Sequence, residues 1–138
     1  MGARDLLLPA FAMAGLVMVV MMRMGYERLS QLARNRIHPQ AVASSAQMAA
    51  LVKDSRAADN FRNLFELPVL FYLALVVGVL TEQASALTVG LAWAFVALRV
   101  LHSAIHCTYN KVRHRFLAYL AGGTVLWILW GVLLAGVL

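Results

Sequence analysis

Five side chains between residues 99 and 113 are of kinds that bind ligands or move protons: Arg99, His102, His106, Tyr109 and Arg113. They stand at i, i+3, i+7, i+10 and i+14, a spacing that puts all five on one face of a continuous helix. The residues between them are mostly apolar or small, among them Val100, Leu101, Ala104 and Ile105. A shorter set lies upstream. Asn63 and Glu66 are three apart and share a face, with Asp59 and Arg62 one turn earlier. Fifteen uncharged residues, 84–98, precede Arg99, so this polar stripe continues a hydrophobic run. Ionisable groups in such a setting mark a functional polar pocket more often than simple packing.

Other chemistries fit the same residues less well. A Glu66–Arg99 pair could only glue two helices together, offsetting the roughly 2.5–3.5 kcal/mol that an arginine costs at a helix centre on insertion scales. Packing does not require seven polar groups at one depth, however. His102 and His106 are four apart and suit two metal ligands with Glu66 as a third, but no second-shell carboxylate lies in the stretch. Cys107 sits beside the stripe rather than on it and reads as an inert buried thiol. As the only cysteine, it excludes an internal disulfide. Trp93, Trp127, Trp130, Tyr72 and Tyr119 read as packing or interface residues. Gly122-Gly123 suggests close helix contact.

The elements that position these residues follow from composition. Of 138 residues, 62% are hydrophobic and 13% charged, where soluble chains carry about one quarter charged residues. Mean hydropathy is +0.77. The chain therefore reads as one all-α integral membrane domain. Four segments reach the roughly 17–25 residues that a spanning helix needs: 6–22, 64–80, 84–105 and 116–138. The net charge of +6 does not point to nucleic acid, because the basic residues lie between hydrophobic runs, where charges fix topology. The first connection holds Arg23, Arg28, Arg34, Arg36, Lys53, Arg56 and Arg62, and the third holds Lys111, Arg113 and Arg115. The turn between spans two and three holds none, and the N-terminal segment only Arg4. Connections one and three are thus predicted to be cytoplasmic and both termini non-cytoplasmic, with no cleavable signal peptide. Pro39 suits a first helical position, and no Gly or Pro follows until Pro68. This predicts a helical extension over 39–63 that runs on into span two, with a kink at Pro68. No internal repeat and no low-complexity segment stands out.

Four spans, the motif Asn63-Leu-Phe-Glu66-Leu-Pro68 and the run from Arg99 to Arg113 together resemble the MAPEG superfamily, the membrane-associated proteins of eicosanoid and glutathione metabolism. Arg99-Val-Leu-His102 is similar to the prostaglandin E synthase branch, and the Arg99–Arg113 separation to the leukotriene-forming branch. The resemblance implies a four-helix bundle assembled as a homotrimer, with glutathione bound between subunits near the cytoplasmic surface. It implies that Asn63 and Glu66 hold the glutathione backbone and amine and that Arg62 also contacts the ligand. Arg99, His102 and Tyr109 complete the binding set. Arg113 would sit by the sulfur and stabilise the thiolate, the nucleophilic form of a thiol, with His106 beside it. The sequence departs from the family's pattern at three places. His106 stands where the family has a tyrosine, Asp59 where one branch has an arginine, and the proline follows Glu66 one residue earlier than in some members.

The leading functional expectation is a glutathione-dependent transferase or peroxidase acting on lipophilic electrophiles or lipid hydroperoxides in the bilayer, with no metal. The alternative is a non-catalytic lipid-binding or scaffold membrane protein of the same fold. The compact loops and small size suggest a bacterial inner membrane.

Overall fold

A computed structural model describes all 138 residues, and the chain is helical throughout, without a strand. Six α-helices follow one another: α1 (Ala3–Arg34), α2 (Ser45–Leu51), α3 (Arg56–Asn63), α4 (Leu67–Leu80), α5 (Ala86–Cys107) and α6 (Val112–Val137), with a 3-10 turn at Pro39–Val42 before α2. Four stretches are long and apolar enough to cross a membrane: α1, α3 with α4 taken together, α5 and α6. The chain is an all-α, integral membrane four-helix bundle.

The core explains which faces meet. Leu6, Met13 and Val20 repeat every seven residues along α1 and are buried. They pack with Phe71, Ala74 and Leu75 of α4, Phe95 of α5, and Leu126 of α6. Phe71 stacks on Phe95 with ring centroids 4.5 Å apart. Large apolar residues on the outer faces, such as Phe11, Leu73, Leu101 and Trp127, are exposed. In lipid such exposure carries no hydrophobic penalty, so packing quality rather than water exclusion holds the helices together. The most extensive pairing is α5 with α6.

Several elements differ from the sequence-based expectation. Helix α1 runs past the expected span, which ends at Met22, and continues to Arg34; Arg23 and Glu27 pair at i, i+4 at 2.7 Å and no proline intervenes. The stretch 39–63 is not one rod. It is a 3-10 turn and two short helices, and α2 starts in a capping box in which Ser44 Oγ accepts from the Gln47 amide at 3.2 Å and Gln47 Oε1 accepts from the Ser44 amide at 3.0 Å. Nor does Pro68 kink a continuous helix. It lies in the first turn of α4, where its missing N–H deprives no helical carbonyl. The chain breaks instead between Leu64 and Glu66, and Glu66 takes φ −95° and ψ −105°.

The break has a physical consequence. A continuous helix would give the Asn63 carbonyl to the amide of Leu67. Here that carbonyl accepts from Arg99 Nη2 at 2.8 Å. The return leg of the first connection is tied to α1 by a paired contact. Gln31 Nε2 donates to the Asp54 carbonyl and Gln31 Oε1 accepts from the Asp54 amide, both at 3.0 Å.

Candidate functional site

Helix α5 supplies the deepest polar residues. Arg99 is 0% exposed, and His102, Ser103 and His106 are also buried. Their i, i+3, i+4, i+7 spacing puts them on the face turned toward α3 and α6. Ser103 Oγ donates to Asn60 Oδ1 at 3.2 Å, and Asn60 Nδ2 contacts Cys107 Sγ at 3.5 Å. Asn60 itself is fully buried. This small ladder fixes α3 against α5 and so sets where Asn63 lies. Cys107 takes part only as a contact of Asn60.

Around Arg99 the geometry is open-ended. Its Nη2 is bonded to the Asn63 carbonyl, and its guanidinium carbon lies 5.6 Å from the centre of the Tyr119 ring, a cation–π contact. Its Nε and Nη1 are buried and have no hydrogen-bond partner. The Tyr119 hydroxyl donates to Glu66 Oε2 at 3.2 Å, which links Glu66 to the same group. His102 Nδ1 lies 3.0 Å from the Arg115 carbonyl. His102 Nε2 and His106 Nδ1 are buried and unpartnered, and the two rings meet edge to face at 5.6 Å. Buried polar atoms without partners are uncommon. Four in one cluster set this end of the bundle apart.

A shallow cavity of about 140 Å³ opens here, lined by Asn63, His102, Val112, Arg115, Phe116 and Tyr119. Sites for small ligands usually measure about 300–1,000 Å³, so this cavity lies below that range. On the other side of α3 a larger groove of about 320 Å³ runs under α2, with Arg28, Asp59 and Arg62 on its walls.

The structure brings some expected residues together and leaves others apart. Asn63, Glu66, Arg99 and His102 converge, and His106 adjoins them. Arg62 is exposed and faces Asp59 at 3.6 Å, within α3. Tyr109 and Arg113 leave the stripe, because α5 ends at Cys107 and the turn resets the helical phase before α6 begins. Tyr109 is exposed and its hydroxyl lies 3.0 Å from His114 Nδ1. Arg113 is exposed on the first turn of α6 and makes no hydrogen bond or ion pair.

Two residues that spacing alone passed over take their place. Arg115 lines the cavity, with Nη1 donating to Asn110 Oδ1 at 2.7 Å. Tyr119 lies one turn further along α6. The signal for both was Asn110, which adopts φ 50°. Asn tolerates this left-handed conformation better than most residues, and such a residue ends a helix. No group of three or more His, Cys, Asp or Glu side chains is arranged to hold a metal.

No curated protein and no solved structure matches this chain. A family model described as MAPEG family matches residues 6–135, nearly its whole length. With four apolar helices and a polar cluster at one end of the bundle, this is an integral membrane protein of the superfamily of glutathione and eicosanoid metabolism. The chain belongs to the MAPEG family.

Proposed function

We propose that the protein is a glutathione-dependent transferase or peroxidase, acting on lipophilic electrophiles or lipid hydroperoxides dissolved in the bilayer. The observation that carries this reading is the convergence of Asn63, Glu66, Arg99, His102, Arg115 and Tyr119 at one end of the bundle, with buried donors on Arg99 left without partners. A tripeptide with two carboxylates and one amine calls for cations and one acidic group, and this cluster holds both. The 140 Å³ cavity is too small for a tripeptide, which favours a site closed by a neighbouring copy in a homotrimer. The whole chain, 1–138, acts as one domain.

In this reading Asn63 and Glu66 bind the backbone and amine of glutathione, with Arg99 behind them, while Arg62 lines the groove on the other side of α3 and takes no part. Arg115 takes the part beside the sulfur that spacing gave to Arg113, because Arg115 borders the cavity and Arg113 does not. A guanidinium there stabilises the thiolate. The thiolate sulfur bonds to an electrophilic carbon and either displaces a leaving group, which departs with its bonding pair, or opens a conjugated double bond whose far carbon then takes a proton. With a hydroperoxide it attacks oxygen, the O–O bond breaks, and a second glutathione completes the disulfide with release of an alcohol and water. His106 borders the sulfur site in place of a hydroxyl. The excess of Lys and Arg in the first and third connections favours a cytoplasmic site and non-cytoplasmic termini, in a bacterial inner membrane.

Calorimetric titration of glutathione into the detergent-purified protein tests the reading. Wild type is expected to bind in the micromolar-to-millimolar range. Arg115→Ala should weaken binding by about tenfold or more, the size of a lost charge-assisted hydrogen bond, and Arg113→Ala should change it little. Absence of heat and of thermal stabilisation at saturating glutathione would sink the reading and favour the non-catalytic lipid-binding alternative, for which co-purifying lipid is the check.

A further inference from the structure

Arg115 is held at both of its ends. Its guanidinium Nη1 donates to Asn110 Oδ1 at 2.7 Å, and its backbone carbonyl lies 3.0 Å from His102 Nδ1. A carbonyl can only accept, so Nδ1 carries the proton in this contact. In the neutral ring, Nε2 is then a bare lone pair, and it is buried without a partner. The contact joins the last turns of α5 to the first turn of α6. The contact adds to the helix's own bonding rather than replacing a cap: Lys111 provides no side-chain cap, and the orphan groups of a helix N-terminus are N–H donors, whereas His102 meets a carbonyl. The Asn110 end is fixed separately, since its amide donates to the Ile105 carbonyl at 2.8 Å.

We infer that His102 is a positioning residue for Arg115: its Nδ1–H holds the Arg115 carbonyl, sets the first turn of α6 against α5, and thereby places the guanidinium at the cavity. Its role is not to touch the ligand through Nε2. This rests on the reading of Arg115 as the cation beside the thiol, although the tie itself does not depend on any ligand.

Two substitutions separate the nitrogens. The amide nitrogen of Asn is as far along the side chain as Nδ1, and that of Gln as far as Nε2. In the purified full chain without glutathione, exchange of the hydrogen-bonded amides from Arg115 to Tyr119, where Arg115 donates to the Lys111 carbonyl, should rise about fivefold in His102→Gln, the effect of one lost hydrogen bond of about 1 kcal/mol. In His102→Asn it should stay near wild type. Nitrogen NMR of 15N-histidine-labelled wild type should show the His102 ring protonated at Nδ1 and bare at Nε2. Glutathione affinity should follow the same order, with Asn close to wild type and Gln about fivefold weaker. An Nε2–H tautomer, equal exchange in both variants, or native-like behaviour of Gln with loss in Asn would each overturn the assignment. If tautomer and exchange behave as expected while wild type binds no glutathione, the positioning tie stands and the glutathione reading falls.

Discussion

The two ends of the bundle treat hydrogen bonds in opposite ways. At the tight turn between α4 and α5, polar groups find partners close by. Thr88 Oγ1 donates to the Gln83 carbonyl at 2.7 Å, and Gln83 Nε2 donates to the Leu133 carbonyl at 3.1 Å. Ser85 caps α5 by accepting from the Thr88 amide at 3.2 Å. At the other end, Arg99, His102 and His106 keep four buried polar atoms unpartnered. Both ends belong to one helix pair and fold under the same rules. The turn satisfies its own polar groups, and toward that end only Trp130 Nε1 of α6 is buried without a partner, whereas the other end gathers four such atoms in one cluster. The satisfied turn is the control against which the polar cluster reads as a site.

Substitutions can break that contrast in order of size. Phe71→Ala removes the stacked partner of Phe95 from the apolar core. It should cost about 2–3 kcal/mol, the cavity part of the usual penalty, since lipid rather than water surrounds the unfolded helices. A thermal or denaturant series in detergent measures this, and glutathione affinity at temperatures where the variant is folded should hardly move. Ser85→Ala removes the cap at the satisfied end and should cost about 1 kcal/mol, again without altering ligand affinity. Tyr119→Phe strikes the polar end. It deletes the hydroxyl that donates to Glu66, and should leave the melting temperature nearly unchanged while weakening glutathione binding about two- to tenfold. Equal effects of Ser85→Ala and Tyr119→Phe on affinity would erase the distinction between the ends.

The smallest effect concerns pH. Hydrogen bonds from Arg56 hold the Asp54 carboxyl below its ordinary range. A depressed folded value means that the stabilisation is present at neutral pH and is lost as pH falls through that value. Proteolysis of the connection around Asp54 should therefore quicken on acidification in wild type. In Asp54→Asn it should be faster at neutral pH and flatter across the acidic range.

How far the sequence reached can be judged at two positions. The membrane class and the number of spans were legible because twenty apolar residues in a row leave little choice of structure. The inward face at Arg99, His102 and His106 was legible as well, since helical periodicity holds for as long as the helix does. The error came where α5 ends. Periodicity carried the stripe through Tyr109 to Arg113, but one residue with positive φ at Asn110 reset the phase and brought Arg115 to the cavity instead. A similar limit applied at Pro68. A proline near a polar motif reads equally as a kink or as a helix start, and only the gap at Leu64–Glu66 decides between them. That gap frees the carbonyl of Asn63 for Arg99, a backbone contact that no pattern of side chains announces.

Helix α1 has 32 residues, about 48 Å at 1.5 Å per residue, whereas the hydrocarbon layer is about 30 Å thick. Its apolar part ends at Met22, so the turns carrying Arg23, Glu27 and Gln31 stand in water as a mast, and Gln31 lashes the first connection to it through Asp54. The connection is thus tied to α1 beyond its apolar run, at the end of the bundle where Phe116 and Tyr119 line the cavity. Under the proposed function a water-soluble reactant arrives from one side and an oily one from the other, which would make the protein a phase-transfer device: two molecules that never share a solvent meet at a boundary the chain itself defines.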